Sequence, residues 1–504
     1  MRRPIHHQLS APVTPAATKT NKIPWEVITL LGAIGCILMT TYRYLDLAHG
    51  GAVLTYLLYP ASIFSVALLL YTRDYIKYWE IRLLGVFFVW VLAVIAMNYW
   101  RASDAISSGW MHSLISISIL CFSLPYALRD INPKAALRIL SAVTILLTAV
   151  TGIVALYLVL TGNSIDFRPA IEGVLGMDDE GRLEFFNHPN IAASACGLSI
   201  LLSIGWFAET KRTLVKVLLV PAALVCYLAL ALTDSRTGII ATALVAGYAV
   251  FLLCGAKPWP KSGKLMKVLF YGLIALCVAA VFYVGTTGVK RAYNAYAELR
   301  ASAAAPVAAA TAAPDAQATE TPGTAAAESA PAAPTPTESE AAFEQAASRS
   351  LSDASTFNGR TLIWKGAIQG LRDNPKILLT GTTPLLSGEI MTSYLSVLEP
   401  MRNFHNSFLA VLVGLGVPGF VLFTLFMAAL WVLCVRLVVK HWGDTSNLSL
   451  KMLTAVVLFT TLYGLMEQLI VTDGMPNLVW VWLMLAAGYL MKAAHLEKER
   501  LSDN

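Results

Sequence analysis

"RNFHNSFLAVLVGLGVPGFVLF", residues 402–423, joins a polar lip to a long apolar run. From Phe408 onward the side chains suit hydrocarbon, while Arg402, His405 and Asn406 stand at the entrance. The rest of the chain shows what surrounds such a run. Of 504 residues, 57% are hydrophobic and 13% charged, whereas about a quarter of a soluble chain is charged. Crossing about 30 Å of hydrocarbon takes roughly 20 apolar residues. Runs of that kind are read near 25–43, 52–71, 83–99, 109–127, 137–161, 190–208, 214–233, 237–254, 266–286, 417–439, 450–469 and 475–494. The expected fold is an all-α polytopic membrane protein of about 12 transmembrane helices.

Cytoplasmic loops keep Lys and Arg, and translocated loops shed them. The clusters Arg73/Lys77/Arg82, Arg129/Lys134/Arg138, Lys211/Arg212/Lys216, Lys257/Lys261/Lys264/Lys267, Arg436/Lys440 and Lys492/Lys498/Arg500 fall on alternate loops, the same side as Arg2, Arg3, Lys19 and Lys22. Both termini are expected in the cytoplasm, and the first helix is expected to be retained rather than cleaved as a signal. The formal charge of +6 then reflects topology, and no nucleic-acid partner is expected. The seven cysteines lie in or beside apolar runs without metal-ligand spacing and read as small core residues.

The organisation that follows is a cytoplasmic tail over 1–23, nine helices over 24–286 with a translocated loop at 162–189, a large translocated loop over 287–404 between helices nine and ten, a surface helix with three further spans over 405–495, and a tail over 496–504. Within the large loop, residues 301–342 are rich in Ala, Pro and Thr and read as a disordered insert. Order returns in "GRTLIWKGAIQGLRDNP", 359–375, whose apolar residues recur near helical period until Pro375.

Polar residues collect at the translocated face. His188 and Asn190 lie in "FFNHPNIAASACG", Arg236 in "LTDSRTGIIATAL", Arg360 at the start of the loop helix, and Arg402, His405 and Asn406 at the lip already quoted. Each has an ordinary explanation. Asp234 or Ser235 can cap a helix while Arg236 snorkels, Asn190 behind Pro189 suits a cap with His188 beside it, an arginine in a loop is commonplace, and His405 can be a boundary histidine. As a set they describe a chemistry. Guanidinium forks bind phosphate oxygens bidentately, and a neighbouring imidazole can take a hydroxyl proton near neutral pH. Nucleotide sugars and ATP are scarce outside the cytoplasmic membrane, so a phosphate-bearing substrate at this face is expected to be a lipid-linked one. Gly416 and Gly419 lie about one turn apart and permit a bend, so 405–415 reads as a short surface helix turning into the tenth span.

"HNSFLAVLVGLGVPG" has His405, Asn406, nine residues, Gly416, two residues, then Gly419, which resembles the signature of the O-antigen ligase and polymerase superfamily. "DSRTGIIATA" resembles its serine-arginine motif, "GRTLIWKGAIQGLRDNP" ahead of "GTTP" resembles its arginine-tryptophan loop helix, and "FNHPNIAAS" is similar to its stretch entering the preceding helix. The matching segments run from roughly 185 to 440. The resemblance implies a GT-C type, inverting glycosyltransferase of the bacterial cytoplasmic membrane. It would move a glycan from an undecaprenyl-pyrophosphate-linked donor to an acceptor hydroxyl on the outer face. It also implies His405 as base or acceptor-orienting group and Arg236 and Arg360 as pyrophosphate binders, with Asn406, His188, Asn190, Arg402, Gly416 and Gly419 in support. The Ala/Pro insert departs from the family pattern. The acceptor stays open among lipid, a growing polysaccharide and protein, so a repeat-unit polymerase and a protein O-oligosaccharyltransferase remain alternatives. No cofactor is expected, and the arginines are expected to replace a metal ion, because Asp178, Asp179 and Glu180 read as a solvated run. A secondary transporter is the more distant alternative, on span number alone.

Overall fold

The computed structural model describes residues 25–41, 62–63, 65–67, 70, 78–98, 110–128, 131–166, 174–178, 181–186, 188–255, 264–311, 360–382, 404–442, 448–469 and 477–502. The expected span 52–71 lies largely outside them, as do the tail 1–23, Arg402, Asp179, Glu180 and residues 312–342 of the insert. The elements are α1 (Trp25–Thr41), α2 (Trp79–Asn98), α3 (Trp110–Ala127), α4 (Pro133–Thr161), β1 (Ile165–Asp166), β2 (Val174–Met177), β3 (Leu183–Glu184), α5 (Pro189–Glu209), α6 (Thr213–Leu232), α7 (Arg236–Gly255), α8 (Lys264–Thr311), α9 (Arg360–Asp373), α10 (Lys376–Thr380), α11 (Ser407–Lys440), α12 (Leu448–Gly464) and α13 (Leu478–Ser502). Among the described residues, eight helices are long and apolar enough to cross a membrane, and α1, α3 and α12 contribute shorter apolar segments. The protein is a multi-pass, mainly helical membrane protein.

The most buried span is α13, with 78% of its apolar window covered against 11% in α8, so α13 is central and α8 peripheral. Polar atoms carried into the centre are paired there, as burial requires. The Trp480 indole donates to Ser118 Oγ at 2.8 Å and the Trp482 indole to Thr144 Oγ1 at 3.0 Å, tying α13 to α3 and α4. Five cysteines are buried as expected, whereas Cys254 is partly exposed and Cys277 faces outward from α8.

Two helix ends and one loop differ from the sequence reading. The ninth span does not stop near 286. Helix α8 continues to Thr311, through the expected start of the large loop and into the Ala-rich segment, because Glu, Leu, Arg and Ala are strong helix formers once a helix is running. Its extension is anchored: Arg300 donates to the Leu160 and Thr161 carbonyls at 3.0 and 2.7 Å, satisfying the free carboxyl end of α4, and Lys290 donates to the Gly181 carbonyl at 2.7 Å. Helix α13 runs past 494 to Ser502, held by Lys440–Glu497 at 2.5 Å and by the Tyr78 hydroxyl on Glu499 at 3.1 Å. The 162–189 loop carries a three-stranded antiparallel sheet, β1–β2–β3, whose strands of two to four residues are too short for an alternation signal.

The bend read at Gly416–Gly419 is present. Gly416 breaks α11 at φ +68°, a conformation that suits a residue without Cβ. The break, with Pro418 lacking an N–H, leaves carbonyls of the preceding turn without helical partners. Trp90 Nε1 of α2 takes the Leu415 carbonyl at 2.8 Å, and the Thr382 backbone N–H takes that of Val413 at 3.1 Å. The first segment of α11 then packs with α9 in a small separate core of Ile363, Ala367, Leu371, Phe404, Ala410 and Val413. That core seats the loop helix over the end of the bundle where the polar residues gather.

Candidate active site

Helices α5, α7 and α11 begin at the same end of the bundle, and α12 finishes there. Each of the three starts is preceded by a non-glycine residue in left-handed backbone: Phe186 at φ +66°, Asp234 at +52° and His405 at +48°. Such residues are uncommon and cost on the order of 1–3 kcal/mol each, so the surroundings must hold them. At His405 the holding is visible. Gln468 Oε1 accepts from the Phe404 N–H at 3.1 Å, the Trp364 indole donates to the Phe404 carbonyl at 2.9 Å, and Asn406 Nδ2 donates to the Leu465 carbonyl at 3.0 Å. His405 is thereby clamped between α9 and the turn after α12.

The caps are side chains the sequence singled out. Asn406 accepts from the Leu409 N–H at 2.9 Å, and α5 is capped by His188 rather than by the expected Asn190, His188 Nδ1 accepting from the Asn190 N–H at 3.1 Å. Ser235, rather than Asp234, caps α7 by accepting from the Gly238 N–H at 3.2 Å. A Cβ on Gly238 would lie 2.5 Å from that of Ala193, so this glycine permits the close approach that sets the start of α7 against α5. Three helix amino ends, each carrying partial positive charge, thus share one region.

The centre of the region is a residue the sequence reading passed over. Glu467, in the turn after α12, is 4% exposed. Asn190 Nδ2 donates to its Oε1 at 2.8 Å, Arg360 Nη2 forms an ion pair with the same oxygen, and His405 Nδ1 lies 3.0 Å from Oε2. Burial works against its ionisation more than any one neighbour favours it. His405, Arg360 and His188 together nevertheless hold the carboxyl below its ordinary value. Around it Ser407 Oγ donates to the Glu467 carbonyl at 2.8 Å and accepts from the Leu469 N–H at 2.9 Å, while Tyr463 donates to the Asn190 carbonyl at 2.6 Å. Glu467 and Gln468 lay inside the expected span 450–469. The signal that finds them is that ionisable residues in apolar runs are rare and need a partner.

The structure therefore brings Asn190, Arg360 and His405 together on one carboxylate, with His188 in electrostatic reach of it. Arg360 Nη1 also donates to Thr237 Oγ1 at 3.0 Å, which sets its guanidinium beside the first turn of α7, where Arg236 is exposed. A guanidinium has five N–H donors, so Arg360 can hold Thr237, Glu467 and a phosphate oxygen at once. Gly416 and Gly419 shape α11 and do not join this network. Asp178 binds the Arg182 N–H at 2.8 Å and its guanidinium at 2.9 Å, a local pairing within the sheet loop. Among the described residues no group of three or more His, Cys, Asp or Glu side chains is arranged to hold a metal ion.

Residues 221–424 match the family model described as O-antigen ligase. A search of curated proteins finds no match to the chain. This match agrees with the superfamily resemblance of the motifs at Arg236, Arg360 and His405. Arg236, Arg360, His405, Gly416 and Gly419 lie inside the matched segment, while His188, Asn190 and Glu467 lie outside it.

Proposed function

We propose that this protein is a metal-independent, inverting glycosyltransferase of the bacterial cytoplasmic membrane, with both termini in the cytoplasm. It moves a glycan from an undecaprenyl-pyrophosphate-linked donor to an acceptor hydroxyl at the outer face. Arg236 and Arg360 receive the donor pyrophosphate, helped by the amino ends of α5, α7 and α11. His405 Nε2 takes the proton of the acceptor hydroxyl. The hydroxyl oxygen bonds to the anomeric carbon, the bond from that carbon to the pyrophosphate oxygen breaks, and undecaprenyl pyrophosphate leaves with the electron pair.

The observation that supports this most is the placing of His405 and Arg360 on one buried carboxylate beside the first turn of α7. A base and an anion-binding fork fixed within one network suit a reaction that needs both at one bond. The test is transfer by purified protein in proteoliposomes supplied with a lipid-linked glycan and lipid, polysaccharide or protein acceptors. Release of undecaprenyl pyrophosphate with glycosylated acceptor is expected. Failure to bind the donor, or binding with no transfer to any acceptor class, overturns the reading.

A further inference from the structure

The reaction above makes no use of Glu467, yet its two oxygens face different groups. Oε1 receives the Asn190 amide and the Arg360 guanidinium, while Oε2 faces His405 Nδ1 at 3.0 Å. An ionised carboxylate can only accept hydrogen bonds, so Nδ1 must be the nitrogen that carries a proton. In a neutral imidazole the lone pair then belongs to Nε2. Bonds on both sides hold the chain at His405, and the ring itself is held by the Glu467 carboxylate.

We propose that Glu467 is the positioning residue of this site: it fixes His405 with Nδ1–H toward the protein and Nε2 presented as the atom that accepts the substrate proton. The role rests on reading His405 as the general base. A carboxylate behind a histidine does this in hydrolytic and metal sites, where it sets tautomer and ring orientation without leaving its own place.

The geometry makes glutamine an unusually informative substitution. In Glu467→Gln, Arg360 and Asn190 both present donors to the Oε1 position, so the amide oxygen belongs there and the NH2 must face His405. An NH2 can only donate, so Nδ1 becomes an acceptor and the proton moves to Nε2, where it blocks the base. Glutamine thus keeps the size and two of the three partners, but presents the wrong tautomer.

The experiment has two arms on full-length protein in lipid bilayers. In the first, transfer by Glu467→Gln should fall about a hundred-fold or more with donor binding within a few-fold of wild type. Adding Glu467→Gln to His405→Ala should cause no further loss, because residues acting as one unit are not additive. Recovery of near wild-type transfer by glutamine, as a purely structural role predicts, overturns the proposal. In the second, 15N-histidine spectra read the tautomer directly, with His405 identified by the signal lost in His405→Gln. Above the imidazole titration range the wild type should carry its proton on Nδ1, and Glu467→Gln on Nε2. A wild-type proton on Nε2 overturns the proposal whatever the transfer assay shows, and also decides the matter should the glutamine variant not fold. If the tautomers exchange as expected but no lipid-linked donor is ever turned over, the proposed reaction fails, and only the setting of the His405 tautomer by Glu467 stands.

Discussion

Helix α5 carries one polar cluster at each end, and the two are built from similar parts. At its amino end Asn190 donates to Glu467, which also binds Arg360 and His405; at its carboxyl end Glu209 meets Arg138 at 3.3 Å and Ser449 Oγ at 2.6 Å. Both clusters pair a carboxylate with an arginine and a neutral donor. They differ in water. The side chains of Arg360 and Glu467 are 13% and 5% exposed, those of Arg138 and Glu209 46% and 19%. A solvated pair gains little and is screened by salt. A buried pair is worth keeping only if every charge in it is satisfied, and removing one partner leaves an uncompensated charge. The cluster at the amino end therefore holds its members at fixed positions, as a reacting site requires, while the other joins α4, α5 and α12 loosely on the face that the charge pattern assigns to the cytoplasm.

The largest expected difference between the two ends is chemical. His405→Ala should lower glycan transfer about a hundred- to ten-thousand-fold, the usual worth of a general base, with donor binding little changed. His405→Gln should fail nearly as badly, since glutamine cannot carry the proton. Both are read by donor binding and transfer on purified, folded protein. Transfer near the wild-type rate in His405→Gln would reduce the histidine to a positioning group and move the search for a base to His188.

Next in size is stability. Glu467→Ala strands the Arg360 charge in a nearly dry site and should cost about 3–5 kcal/mol, measured by thermal unfolding in detergent or nanodiscs. The pH dependence has a definite sign. A carboxyl held below its ordinary value when folded contributes stability that is fully present above the unfolded pKa of about 4.3. That contribution is lost as pH falls through the lower, folded value. Wild-type protein should weaken in this acid range and Glu467→Gln should show less of that dependence. An unchanged acid profile in Glu467→Gln would remove Glu467 from the account of the difference.

Lysine substitutions separate Arg360, inside the buried cluster, from Arg236, exposed beside it. Arg236→Lys and Arg360→Lys each replace a planar fork by a point charge, and each should cost on the order of 1.5–3 kcal/mol of transition-state binding, or roughly ten- to a hundred-fold in transfer. Arg360→Lys should also lower thermal stability, because Arg360 bridges Glu467 and Thr237. Arg236 is exposed, so Arg236→Lys should not. Wild-type transfer by both variants would remove pyrophosphate binding from their description.

What the sequence makes legible follows from what has a period or a composition. Spans such as α5, α7 and α11 were readable because hydrocarbon demands about 20 apolar residues in a row. The Gly416 bend and the polar lips at His188, Arg236 and His405 were readable because they interrupt those runs. The extension of α8 was hidden, since Ala-rich sequence of low complexity reads as disorder until Arg300 and Lys290 are seen anchored to α4 and the sheet loop. Glu467 was hidden for a different reason. Its significance is a meeting of chain segments 277 and 107 positions away, at Asn190 and Arg360, which no local pattern records.

The smallest expected effect lies at the other end of α5, and it bears on the comparison most directly. Arg138→Ala removes a guanidinium that is nearly half exposed, so water replaces most of what Glu209 gives it. Glu209 keeps the Ser449 hydroxyl, so it is not left without a hydrogen bond. The loss should be about 0.2–1 kcal/mol, and it should shrink as salt is raised past the Debye range of the pair. Thermal unfolding of wild type and Arg138→Ala at low and high ionic strength measures both quantities. A salt-independent loss approaching that of Glu467→Ala would mean that the Arg138–Glu209 pair is as dry as the one at the amino end. Burial would then no longer distinguish the two clusters, and the assignment of the reacting site would rest on His405 alone.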